Sequence, residues 1–465
     1  MPCVKAVRAA QELEAAREPP SVGKHRMLRT IFLLLLFAAV LIRTVGAPQA
    51  GVLGWTWLTL MAPHQLVWGA LGSAPVNLVL ALVTFVSWIF SREPKRMQLN
   101  LAMGLWLTLM AYMTFTTILA LSPDVAWDRW DRTIKIMALG VLVASIMTTR
   151  VRIHALIWII VLSLGYFGIK GGLFTLFTGG EFHVLGNAGT GLGDNNYLAL
   201  ALCTVIPLMN YLRMQSQWRS VRIGSIAAMG LMVIAVIGTY SRGGLVGLAI
   251  MGGYLWWKSR QKILIMLLGL VVLIPAIQFM PDSWRQRMST IETAQEDTSF
   301  RGRLQAWQFA INVAESRPFA GAGFAGTENT EIFNTYYHDP AVGRVPGHAA
   351  HSIYFQVLGD HGYPGLALYL AMLATTWWYM KGIRRAARHE PRLEWAGDLA
   401  AMMQVSLIAF MVAGAALSMA YYDMLFLLMG MSIALRQMVL QREPQQIVKA
   451  APLKARGLGS AHPAS

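Results

Sequence analysis

Residues 31–42 read IFLLLLFAAVLI, twelve positions without one polar side chain. Apolar runs return along the chain, as IMALGVLVASIM at 136–147 and ILIMLLGLVVLIPAI at 263–277. The 465-residue chain is 55% hydrophobic and 13% charged, where a soluble domain carries about 25% charged residues. A helix needs about 20 mainly apolar residues to cross the hydrocarbon of a bilayer. So much apolar surface cannot be hidden in one soluble core, and lipid can cover it. The expected fold is an all-α polytopic membrane protein.

The net charge of +16 does not point to nucleic acid, because of how it is distributed. Basic residues sit in short loops between apolar runs: SREPKR, TTRVR, RMQSQWRSVR, WKSRQK and MKGIRRAARHEPR. Loops rich in Lys and Arg stay on the cytoplasmic side. With the N-terminus inside, about twelve spans can be threaded. They run over 30–48, 74–91, 98–121, 133–149, 153–169, 194–213, 222–239, 243–257, 262–280, 352–380, 398–419 and 422–438. Then 27 of the 39 Lys and Arg fall inside and 12 fall outside. Residues 51–73 are the exception. A hairpin or an interfacial helix fits there, whereas a full span would break the alternation of charge.

The expected organisation follows. Residues 1–29 form a basic cytoplasmic tail leading into an uncleaved signal anchor. Residues 30–280 hold the first nine spans, 281–350 form one large outer loop or cap, and 351–440 hold the last three spans. Residues 441–465 form a basic, disordered cytoplasmic tail. A second outer loop, 168–193, is rich in glycine and can dip into the bilayer or line a groove. Cys3 and Cys203 are the only cysteines, and they suggest no disulfide framework.

Polar groups crowd the outer ends of the spans and leave the span centres nearly free of charge. A transporter places ionisable groups near the midplane, so this pattern favours an enzyme at the membrane–water boundary over a pore or flippase. Asp194 and Asn195 open the sixth span, and Tyr240, Ser241 and Arg242 lie in the tight turn GTYSRGG. Arg242 reads either as a snorkelling arginine or as an anion site, since a guanidinium fork matches phosphate oxygens. Arg301 and Arg303, in SFRGRLQAW, carry the same two readings.

Four of the ten histidines lie between His338 and His361. Zinc-type spacing is absent, because His348 and His351 are three residues apart and no HExxH occurs. What remains is a loop-to-helix junction or a proton-transfer site, for which an imidazole titrating near neutrality suits a general base. Asp360 is a candidate partner. The pairs Asp128/Asp131 and Glu181/His183 are weaker candidates for a divalent cation.

His351-Ser352, nine residues, then Gly362-Tyr363-Pro364-Gly365 resembles the H-[S/N/Q]-x9-G-x-x-G signature of bacterial O-antigen ligases. RGRLQAWQFAINVAESRPFAGAGFAG before it and TYSRGG further upstream resemble the same family, from about Gly191 onward. The N-terminal third matches only as hydrophobic topology. The resemblance implies a GT-C-like architecture with the outer loop in the periplasm of a bacterial inner membrane. It also implies a metal-independent inverting glycosyltransferase without a cofactor. The donor would be a glycan on undecaprenyl pyrophosphate and the acceptor the lipid A–core, with His351 as base. Arg242 would act on the leaving group. Arg301, Arg303, Asp194, Asn195, Tyr240, Ser241, His348 and Asp360 would bind substrate. The family often has Glu where this chain has Asp360. HSIYFQVLGDHG also resembles protein O-glycosylation ligases, so a protein acceptor and a repeat-unit polymerase stay open as alternatives.

Overall fold

A computed structural model describes residues 20–66, 74–93, 95, 99–187, 190–258, 262–289, 298–338 and 343–440. Residues 1–19 of the expected tail 1–29 and the whole expected tail 441–465 lie outside the described residues, as do parts of the expected cap.

The described chain is helical. The first helices are α1 (Pro20–Gly46), α2 (Pro48–Met61), α3 (Val76–Phe90), α4 (Leu101–Ile118), α5 (Pro123–Ile146) and α6 (Arg150–Phe177). Next come α7 (Asn195–Gln215), α8 (Arg219–Gly238), α9 (Arg242–Lys258) and α10 (Lys262–Phe279). The short α11 (Asp282–Ser289), then α12 (Thr298–Ser316) and α13 (Thr330–Tyr336), make up the expected cap. The chain closes with α14 (Ile353–Ala387), α15 (Glu394–Gly414) and α16 (Asp423–Leu440).

Seven of these helices are long and apolar enough to cross a membrane: 27–46 of α1, α4, α6, α7, α8, 391–414 with α15, and α16. The chain is thus a multi-pass helical membrane protein. Each of the twelve threaded ranges falls largely on a helix, although the helices under five of them, α3, α5, α9, α10 and α14, do not meet the same standard of length and apolarity.

Helices α7, α15 and α16 form the buried centre, with α5, α6 and α14 packed around them. Between helices in lipid there is little hydrophobic drive, so close packing depends on small residues. Gly140 of α5 and Gly430 of α16 meet so closely that a Cβ on Gly430 would lie 2.4 Å from the Gly140 carbonyl. Gly172 of α6 takes the Leu231 carbonyl of α8, 2.2 Å from where a Cβ would stand. That contact corrects the reading of 168–193 as one loop. Its first glycines continue α6 as a packing face, and the turn begins only at Gly179 and Gly180, both with positive φ.

Residues 48–61 also have a definite form. α2 has 14 residues, about 21 Å at 1.5 Å per residue, too short to span about 30 Å of hydrocarbon. Val52, Trp55, Leu58 and Leu60 are buried against α1, α3 and α6. It is a helix enclosed by protein rather than one lying on the interface.

The basic loops gather at one end of the bundle. Arg152 pairs with Glu93 at 2.5 Å, and Arg150 donates to Gln215 and stacks over Trp395. Gln215 donates in turn to Asp398 at 3.0 Å. α6 and α7 carry the chain from this end to the opposite one, where the candidate residues lie.

Candidate active site

The site is built at the mouths of three helices, α7, α9 and α14. Asp194 is the N-cap of α7, and its Oδ1 accepts from the N–H groups of Asn196 (2.8 Å) and Tyr197 (3.3 Å). Such a cap satisfies amides that a helix start otherwise leaves open. Asn195 is buried and donates to the Thr239 carbonyl at 2.6 Å, which ties α7 to the end of α8. Ser241 caps α9, its Oγ accepting from Gly244 at 3.0 Å. Buried Tyr240 donates to the Gly180 carbonyl at 2.7 Å, and His183 packs on its ring at 4.3 Å. The polar groups of Asn195, Tyr240 and Ser241 are thus occupied in holding the turn from which Arg242, half-buried, opens α9.

α14 owes its shape to the glycines of the signature. Gly362 has φ 67° and ψ −168°, a conformation reserved for glycine, and a Cβ there would stand 2.3 Å from the Pro318 carbonyl. The break frees the carbonyls of Gly359 and Asp360. The turn 317–326 (RPFAGAGFAG) takes them up: Ala322 donates to Gly359 at 2.8 Å and Gly323 to Asp360 at 3.0 Å. Tyr363 returns a bond to the Pro318 carbonyl at 3.0 Å. The spacing of the signature is therefore a docking geometry between α14 and the cap.

Among the described residues, four besides glycine have positive φ: Ala62, Tyr240, Ala325 and His351. Three of these belong to the site region. A left-handed non-glycine residue costs about 1–2 kcal/mol, and such outliers cluster where function fixes the backbone. His351, at φ 45°, is held by its N–H donating to Ser418 Oγ at 2.6 Å. Trp307 of the cap donates to the neighbouring Ala350 carbonyl at 2.8 Å and stacks on Phe355.

The charges around His351 set its protonation. Burial holds its pKa below 6.5, and the nearby Arg303 and His348 lower it further, while Asp194 acts in the opposite sense. The shift favours the neutral imidazole. Arg303 is half-buried and Arg301, two residues earlier, is exposed, so only Arg303 is among the charges acting on the imidazole. His348 packs edge-on against Phe333.

The other histidine and the acid of the motif lie deeper. His361 is fully buried, Nδ1 against Thr116 Oγ1 at 2.7 Å and its ring edge-on to Phe324. It belongs to the helix packing. Asp360 is also buried, and its Oδ2 accepts from Tyr421 at 2.9 Å. It lines a cavity of about 260 Å³ that adjoins His351 through Ala350 and Ser418.

Sequence reasoning missed most of that cavity's polar walls: Arg129 and Arg132 of α5, Glu328 after the glycine turn, Tyr421 and Tyr422 before α16, and Asp423 at its first position. The available signal was the i, i+3 spacing of the two arginines in DRWDR, which puts them on one helix face. The aspartates of the same stretch, Asp128 and Asp131, do not line the cavity. Asp131 is exposed and paired with Lys135 at 2.5 Å. Among the described residues, no three His, Cys, Asp or Glu side chains gather as a metal site requires.

Fold and site together define a multi-pass helical membrane protein with a histidine, arginines and a polar cavity at one end of its bundle. Residues 227–370 match the family described as O-antigen ligase. Residues 28–217 match a separate family of unknown function, DUF5935. No curated protein matches the chain. The O-antigen ligase match covers α8 to the middle of α14, so it includes Arg242, Arg303 and His351, and it supports an activity of ligase or polymerase type.

Proposed function

We propose that the protein is an O-antigen ligase, an inverting glycosyltransferase working at the periplasmic face of a bacterial inner membrane. It moves a glycan from undecaprenyl pyrophosphate to a hydroxyl of the lipid A–core. Twelve spans with both termini in the cytoplasm suit this arrangement, because every basic loop then lies inside.

The observation that carries the reading is His351. It is held in a left-handed conformation at a helix mouth, burial favours its neutral form, and it has a half-buried arginine among its neighbouring charges. In the proposed step the acceptor hydroxyl gives its proton to His351 as its oxygen forms a bond to the anomeric carbon. The bond from that carbon to the pyrophosphate oxygen breaks on the opposite face, and the configuration inverts. Negative charge then grows on the leaving pyrophosphate. Arg242 and Arg303 stabilise it in place, an electrostatic task that preorganised cations perform well in a site shielded from water. Asp194 moderates the cationic field at the imidazole.

A protein acceptor is the second reading, favoured by the spelling HSIYFQVLGDHG. The test is reconstitution of the full chain with a lipid-linked glycan, offering lipid A–core and an unfolded Ser/Thr-rich protein in parallel. Transfer to lipid A–core is expected. Transfer to the protein alone would replace the acceptor, and transfer to neither would overturn the ligase reading.

A further inference from the structure

The cavity beside His351 has walls unlike those expected of a pyrophosphate site. Two guanidinium groups, Arg129 and Arg132, line it together with three carboxyl groups, Glu328, Asp360 and Asp423. Arg129 and Glu328 are paired at 3.2 Å, and Asp423 lies within the field of Arg132. Cations do not exceed anions here, whereas a pyrophosphate calls for a clear excess of positive charge. Arg242, Arg301 and Arg303 do not line it.

Two of the residues that line it carry enclosed polar atoms without a protein partner among the described residues. Tyr422 is 6% exposed, yet its Oη has no hydrogen-bond partner among the described residues. Asp423 Oδ1 is enclosed and in the same condition. Buried polar atoms are nearly always satisfied, and each exception calls for an explanation. A hydroxyl that donates and accepts, beside a carboxylate that accepts, matches the hydroxyls of a neutral sugar. A volume of about 260 Å³ is many times what one water needs, and gives room for a pyranose ring. Tyr197, Phe324 and Tyr421 supply aromatic surface in the same walls, and the apolar face of a sugar ring packs on such surfaces.

We propose that this cavity is a monosaccharide subsite, seating the acceptor's sugar ring through Tyr422 and Asp423 so that one of its hydroxyls reaches His351. The assignment to the acceptor rests on the glycosyl-transfer reading above. The presence of a sugar subsite does not. Position supports the acceptor: Ala350, which precedes the base, and Ser418, which holds its backbone, both line the cavity. The cations assigned to the leaving group stand outside it.

The experiment uses the full chain in nanodiscs and needs no transfer. Saturation-transfer NMR is run with the methyl glycosides of glucose, galactose, mannose, N-acetylglucosamine and a heptose, with inorganic pyrophosphate as competitor. At least one glycoside is expected to bind saturably, and pyrophosphate is expected not to displace it. Tyr422→Phe removes one oxygen and should weaken that binding about threefold to tenfold, the worth of one hydrogen bond, with an unchanged melting temperature. Asp423→Asn should also weaken it. Failure of every glycoside to saturate, displacement by pyrophosphate, or full-strength binding by Tyr422→Phe would each overturn the subsite.

A transfer assay then separates the two readings. Tyr422→Phe should raise the acceptor KM and leave the donor KM alone, and a raised donor KM instead would overturn the acceptor assignment. Saturable glycoside binding in a protein that transfers nothing supports the sugar subsite and counts against the ligase reading.

Discussion

Ser418 Oγ lies 2.6 Å from the backbone nitrogen of His351 and accepts its N–H. The bond crosses from the segment between α15 and α16 to the mouth of α14, and it fixes the one residue there with a left-handed backbone. Losing an acceptor for a partly buried N–H costs about 1–3 kcal/mol. Ser418→Ala should therefore let the imidazole drift and lower the transfer rate about tenfold, with the protein still inserted at its usual level. An unchanged kcat in reconstituted vesicles would show that the bond does not position the base.

His351→Ala should reduce transfer by at least about 100-fold, the lower range for loss of a positioned general base. Expression and membrane insertion should not change. Normal transfer by this variant would remove His351 from the mechanism.

The acid limb of the pH profile should report the same residue. Because burial, Arg303 and His348 lower the His351 pKa, activity should hold through neutral pH and fall only as acidification below about 6.5 protonates the ring. Asp194 opposes that lowering. Asp194→Asn removes the negative charge and keeps a good N-cap, so its acid limb should move to lower pH. A shift to higher pH, or none, would contradict the field described around the imidazole.

Arg242→Ala should lower kcat about 100-fold or more, as loss of one preorganised stabiliser of developing charge does. Arg344 is exposed and pairs with exposed Glu331, a kind of bond worth about 0–1 kcal/mol. Arg344→Ala should leave activity within about twofold. Equal losses in the two variants would separate Arg242 from the leaving group.

Gly362→Ala should destabilise the protein by about 2 kcal/mol or more, since it adds left-handed strain to a clash with the Pro318 carbonyl. Gly382→Ala, where nothing lies within 4 Å of the new Cβ, is the control, and its unfolding midpoint should stay or rise. Equal midpoints for the two variants would mean that the break in α14 is not structurally required.

The helices were legible because lipid imposes long apolar runs, and charge separates their ends. The spacing from His351 to Gly362 and Gly365 was legible as a motif, although its reason was not. That reason is the docking of 317–326, a contact between segments about 40 residues apart. The glycines at 171 and 172 were misread as loop, because a glycine chosen for close helix packing looks in sequence like one chosen for a turn. Arg129, Ser418, Tyr422 and Asp423 were invisible as a group. Arg129 lies on α5 and the other three on the stretch 418–423 that opens α16, and only the packing of α5 against α16 brings them around one cavity.

The bonds from Ala322 and Gly323 to Gly359 and Asp360 reach beyond the shape of α14. Leu121, at the joint of α4 and α5, also donates to Ala322 at 2.9 Å. The outer segment is thereby riveted at its base to the helix that presents His351, and it cannot lift away like a hinged cover without unmaking the mouth of that helix. On the proposed function, the lipid-anchored donor would slide in from the plane of the bilayer rather than drop in from above.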